Sequence, residues 1–161
     1  MANPSRKHKT WEEKLNTSHD LPKVVRLKGQ ARRKWRVKTL AIPSPREIFS
    51  LIRKVPKGKI ATTSGLQSAG AKKHAAEMGC PVTTGIFVWL SAHASEELEA
   101  KRPGSGAPYW RIIKSDGSLN PKYPGGVAQQ AERLSQEGIA TETRGSKTYV
   151  ASLDTSPRHR F

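Results

Sequence analysis

Pro108-Tyr109-Trp110-Arg111-Ile112-Ile113 is the stretch on which the reading of this 161-residue chain turns. Tyr109 to Ile113 reads as a short strand, and Ser115-Asp116-Gly117 as the turn that closes it. A Pro/Gly loop follows over Pro121 to Gly126. Val127 to Glu137 has helical spacing, with Val127, Ala131 and Leu134 on one face and Gly138 as its stop. Ile139 to Thr143 and Lys147 to Leu153 form a hairpin around Arg144-Gly145-Ser146.

Upstream the chain reads as helices. Ser44-Pro45-Arg46-Glu47 is a helix start: Ser44 caps, Pro45 takes the first turn, and Glu47 completes a capping box. Ile48, Leu51, Ile52 and Val55 then recur on one apolar face. Pro56 and Gly58 end this helix, with Lys57 and Lys59 on the turn. A second helix is predicted over Ser64 to Met78, with Lys72 and Lys73 outward, closing at Gly79. A third is predicted to begin at Thr83 or Thr84 and to carry Ile86, Trp89, Leu90 and His93. Two helices joined by a short Gly/Pro turn have the outline of a helix-turn-helix, which an ordinary packed pair shares.

Charge is the second strong signal. Lys and Arg number 29 against 13 Asp and Glu, a formal net charge of +16. Residues 1–38 hold 12 basic and 3 acidic residues, so +9 of that charge lies in the first quarter of the chain. Such a balance points to a polyanion partner. Ser5 to Lys9 and Arg32 to Lys38, including Arg32, Arg33 and Lys34, form basic clusters suited to a phosphate backbone. Trp11 and Trp35 favour partial order in this arm over a solvated tail. No apolar targeting segment follows the basic N-terminus, and the longest uncharged run, Met78 to Ser95, is too polar to span a bilayer. The expected location is the cytoplasm, at the nucleoid.

Catalytic constellations are sparse. One cysteine, Cys80, excludes a disulfide framework and fits a reducing compartment. The five histidines are scattered, none at ligand spacing, so neither metal nor cofactor is expected. Glu96, Glu97 and Glu99 read as a solvated helix face. Gly125-Gly126 before a helix offers backbone N–H groups to a phosphate or simply makes a tight turn.

Taken in order, Pro108-Tyr109-Trp110-Arg111-Ile112-Ile113, Ser115-Asp116-Gly117, Tyr123-Pro124-Gly125-Gly126 and Glu137-Gly138 resemble the DNA-binding domain of the alkylguanine-DNA alkyltransferases. Val55-Pro56-Lys57-Gly58-Lys59-Ile60 is similar to the turn before that family's helix-turn-helix. The resemblance spans about residues 42–153. Tyr109 stands where the family has its acceptor cysteine, and Trp110 where it has the histidine base. Alkyl transfer needs an activated thiolate, which a phenol does not replace. The pattern is therefore similar to the alkyltransferase-like proteins, which bind alkylated DNA without repairing it. Two more departures stand out. Pro81 to Ala100 contains no Arg or Lys for the gap left by a flipped base, and Thr63 matches a tyrosine that helps rotate the target phosphate.

The resulting expectation is an α/β, mostly helical domain of the alkyltransferase C-terminal type at 42–153. A basic arm at 1–41, partly ordered, precedes it and a flexible tail at 154–161 follows. The resemblance implies a monomeric, non-catalytic protein that binds double-stranded DNA and recognises alkylated or damaged bases, in concert with repair proteins. Tyr109, Trp110, Arg111 and Tyr123 are the expected lesion pocket. Lys57, Lys59, Thr63, Lys72, Lys73, Thr83, Thr84, Arg32, Arg33, Lys34, Gly125 and Gly126 are the expected DNA contacts. Three readings stay open beside it: a repair enzyme (a glycosylase, or a transferase using Cys80), a sequence-tolerant nucleoid protein, and an RNA-binding protein.

Overall fold

The computed structural model describes residues 7–17 and 20–161; Ser5 and Arg6 of the first basic cluster, and His19, lie outside the described residues. Among the described residues, six helices and seven short strands surround two adjoining apolar clusters.

The described residues before position 42 are built into the fold. Helix α1 (Trp11–Asn16) begins with a reciprocal capping box: Glu13 N–H donates to Thr10 Oγ1, and Thr10 N–H donates to Glu13 Oε2. It buries Leu15, 0% exposed, in the main core. Strand β1 (Lys23–Arg26) runs antiparallel to β2 (Thr39–Ile42), with Lys23 opposite Ile42 and Arg26 opposite Thr39. Between them helix α2 (Gly29–Trp35) buries none of its residues. Because β2 crosses position 41, the expected boundary there falls inside a strand.

Helix α3 (Pro45–Arg53) starts as its sequence dictates, with Glu47 N–H donating to Ser44 Oγ at 3.2 Å. The return bond of the capping box is absent. Glu47 is buried and turns instead to Lys73 and His74, at 2.9 and 2.7 Å. Strand β3 (Ala61–Thr62) precedes helix α4 (Thr63–Lys73), capped by Thr62 Oγ1 on the Gly65 N–H. The helix stops at Lys73, five residues before the predicted end. The chain must turn there so that β4 (Met78–Gly79) can lie parallel to β2. Gly79 lets β4 lie close against α4, since a Cβ on it would clash with the Gln67 carbonyl oxygen.

Helix α5 (Pro81–Lys101) starts two residues earlier than expected. Pro81 supplies the first turn, where its missing N–H costs nothing. At 21 residues it is about 30 Å long and is the axis of the molecule. Both α1 and α3 pack along it. Tyr109–Arg111 is a 3-10 turn and only Ile112–Ile113 is strand (β5), parallel to β3. The predicted strand is shortened because Pro108 leads the chain in at ψ 65°, outside the extended region. Helix α6 (Gly126–Gln136) and the hairpin β6 (Thr141–Arg144) and β7 (Lys147–Val150) follow.

Residues 154–161 are not a free tail. Ile60 N–H donates to the Pro157 carbonyl at 3.0 Å, and His159 N–H to the Ile60 carbonyl at 2.8 Å. Phe161 packs against the main core. Backbone pairing along Ile60 and an aromatic anchor hold the segment, and neither has a sequence signature. Among the described residues, no helix is long and apolar enough to cross a membrane.

Candidate nucleic-acid interface

The aromatic motif lies where the two apolar clusters meet, and Trp110 touches both. Tyr109 is 1% exposed. Its O–H donates to Glu96 Oε1 at 2.5 Å, and Arg133 of α6 holds the same oxygen at 2.8 Å. Burial, reinforced by the Glu96 carboxylate, pushes the Tyr109 phenol well above its ordinary range, so it stays protonated. Trp110 and Tyr123 meet the Tyr109 ring nearly perpendicularly, at 5.5 and 5.3 Å between centroids.

Glu137 ties the motif to the rest of the domain. It accepts from Trp110 Nε1 at 3.1 Å, from Arg111 Nε and Nη2, and from the Gly58 N–H at 3.2 Å. Arg111 Nη1 also donates to the Val55 carbonyl at 2.7 Å. Burial alone would raise the Glu137 carboxyl, but Arg111, the indole N–H and the Gly58 amide outweigh it and hold it below the usual carboxylate range. Trp110 thus aims its indole donor at Glu137 and has no basic nitrogen.

A cavity of about 440 Å³ opens beside this motif, lined by Tyr109, Trp110 and Arg111 with Arg53, Glu96 and Arg133 among others. Tyr123, expected on its wall, is not there. It is 3% exposed, and its O–H donates to the Ile112 carbonyl at 3.0 Å. Nor does Trp110 present a clear face, since the Arg133 guanidinium lies 4.6 Å from its ring centroid. Arg111 is committed to Glu137 and Val55. The four expected pocket residues are therefore brought together, but mainly as a structural hub.

The expected DNA contacts distribute over several faces. Arg32, Arg33 and Lys34 are exposed on α2. Lys57 and Lys59 are exposed on the turn after α3, and Lys57 borders a hollow shared with Trp110 and Arg133. Lys72 and Lys73 end α4, where Lys73 is engaged with Glu47. Thr63 opens α4 with its hydroxyl 3.2 Å from that of Ser115. Gly125 and Gly126 both have positive φ (76° and 69°) at the start of α6, a bend that a side chain would strain.

Thr83 and Thr84 do not face outward. Thr84 is 1% exposed, and the Thr83 hydroxyl oxygen is buried without a hydrogen-bond partner. Because α5 begins at Pro81, its outward face is Val82, Gly85, Ile86 and Trp89, bordered by Lys114, Asn120 and Lys122 around a depression of about 540 Å³. No local sequence pattern singles out those two lysines. The i, i+3, i+4, i+7 spacing from Val82 was the signal that could have revealed the face.

The fold matches solved structures. A crystal structure of S. pombe Atl1 in complex with damaged DNA containing O6-carboxymethylguanine superposes with a TM-score of 0.50 at 18% identity, covering 71% of this chain and 94% of that one. A structure of S. pombe ATL in complex with DNA gives the same TM-score and coverage at 19% identity. The chain has an alkyltransferase-like fold. No family model and no curated protein sequence matches it. In this alkyltransferase-like fold, helix α1 packs onto α5.

Proposed function

We propose that this protein binds duplex DNA without catalysis and recognises alkylated or otherwise damaged bases for a repair process. The observation that carries the reading is Tyr109: a buried phenol, bonded to Glu96 and held protonated, at the position matched to the acceptor cysteine. It cannot take up an alkyl group as a thiolate does. Trp110 beside it cannot act as a base. The one cysteine, Cys80, is buried between β4 and α5, outside the motif. The likeness in fold to proteins crystallised with DNA, one of them with damaged DNA, supports DNA as the partner. So does the net charge of +16. Lys57, Lys59 and the α2 cluster serve as phosphate contacts, with Thr63 at the start of α4.

The test is a titration of matched duplexes, with and without one alkylguanine, at two salt concentrations, followed by mass spectrometry of the protein. The lesion duplex should bind more tightly, affinity should fall steeply with salt, and the protein mass should not change. Alkyl mass appearing on Cys80, release of a free base, or a flat salt response would each overturn the proposal.

A further inference from the structure

We infer that residues 157–161 form a strap that adds a phosphate contact to the start of α4, with Arg160 holding the backbone of a bound duplex beside Thr63. This inference rests on the duplex-DNA reading above and assigns one part of the grip to a segment that reading does not use. The strap runs as a third parallel strand. Ile60 and Arg158 form a parallel bridge, made by the two backbone bonds to Pro157 and His159. Beyond Ile60 the chain continues into β3, which runs parallel to β5 on its other side. In parallel sheets the carboxyl ends of the strands open on one edge, where ligands bind. Here those ends lead into Arg160, into Thr63-Ser64 of α4 and into Lys114-Ser115. Two contacts show the convergence. The Thr63 hydroxyl lies 3.2 Å from that of Ser115, and a Cβ on Gly65, in the first turn of α4, would meet the Phe161 ring at 3.6 Å.

Alternation along the extended strap decides which groups face outward. His159 and Phe161 are half-buried, their rings 4.9 Å apart and nearly perpendicular, and Phe161 packs against the main core. Arg158 and Arg160 are exposed on the other side. Arg158 Nη2 donates to the Leu153 carbonyl at 3.2 Å. Among the described residues neither arginine has a salt bridge, unlike Arg111, Arg133, Lys73 and Lys101, whose charges are met inside the molecule. No Asp or Glu occurs from Lys57 to Ala76 or from Thr155 to Phe161. Asp116, on the turn after β5, is bonded to Ser118 and lies 3.7 Å from Lys147. The edge is therefore cationic and rich in hydroxyls, the side-chain chemistry that positions a nucleic-acid backbone. A guanidinium can donate to two oxygens of one phosphate. Two backbone bonds and an aromatic anchor hold the strap in place before any DNA arrives, so less ordering entropy is lost when Arg160 engages.

The experiment uses the full chain and two readouts. The first is the salt dependence of binding to a duplex carrying one alkylguanine. Arg160→Ala, at an exposed position where folding should be unaffected (checked by circular dichroism), should weaken binding about tenfold and lower the salt slope by about one. Phe161→Ala, which releases the anchor, should have the same effect while the arginines remain. The second readout is a scan in which one phosphate at a time is replaced by an uncharged methylphosphonate. Wild-type protein should lose affinity at a few positions, and Arg160→Ala should become insensitive at one of them. Thr63→Ala should lose its sensitivity at that phosphate or the adjacent one. The strap is refuted if Arg160→Ala keeps the wild-type salt slope, whether or not the lesion fixes a register. It is equally refuted if Phe161→Ala, still folded, binds as wild type, or if Arg160 answers to a phosphate remote from that of Thr63. Failure of wild-type protein to bind any duplex would instead remove the DNA-binding reading itself.

Discussion

Glu137 shows how much one side chain organises here. Its two oxygens gather the Trp110 indole, the Arg111 guanidinium and the Gly58 turn, joining the aromatic motif to the segment before α4. Because its folded pKa lies below the ordinary 4.5, its contribution to stability is present above that value and is lost as pH falls through the lower folded value. Glu137→Gln should therefore cost about 3–5 kcal/mol in urea unfolding at pH 7, since it leaves Arg111 buried without its counter-charge. The gap to wild type should narrow below pH 4.5; a gap that stays constant from pH 7 to pH 3 would refute the account. In the sequence, the Glu137-Gly138 pair was visible only as part of a pattern. Its bonds could not be read there, because they join groups 26 to 79 positions apart. Tyr109 and Tyr123 were legible as important, but not as buried: a tyrosine reads alike whether its ring stacks on a ligand or on its neighbours.

Elements with local determinants were the most legible. Ser44, Pro45 and the apolar recurrence placed α3 from the sequence, and Gly138 marked the end of α6. Helix α1 was missed, although Thr10-Trp11-Glu12-Glu13 carries a complete capping box. The docking of α1 is specific: Glu97 of α5 accepts from the Trp11 and Glu12 backbone amides at 3.1 Å, capping the helix across space, while Leu15 fills the core. Leu15→Ala should accordingly lose about 2–5 kcal/mol of stability. A loss under 1 kcal/mol by denaturant titration would mean that α1 is an attached arm and not part of the domain. The end of α4 and the strand β4 were illegible for another reason. They depend on the pairing of β4 with β2 and on the close approach of Gly79 to Gln67 of α4, partners that local sequence does not name.

Across the whole molecule, the +16 charge separates into parts with different duties. Several basic groups are internally engaged: Arg111 with Glu137, Arg133 with Glu96, Lys73 with Glu47 and Lys101 with Glu12. Arg32, Arg33 and Lys34 on α2 stand clear of the core. Replacing these three by alanine should lower the salt slope of DNA binding by about three while leaving the ratio of lesion to intact affinity unchanged, as paired titrations would show. A changed ratio would place α2 in lesion recognition. Trp89 adds a different consequence. One side of its indole meets Trp11 and His93, with centroids 5.0 and 5.1 Å away, and another borders the depression beside Ile86. Its ultraviolet emission therefore senses both the seating of α1 and whatever dries that depression, so the molecule carries its own optical gauge and occupancy can be followed in solution without attaching a dye.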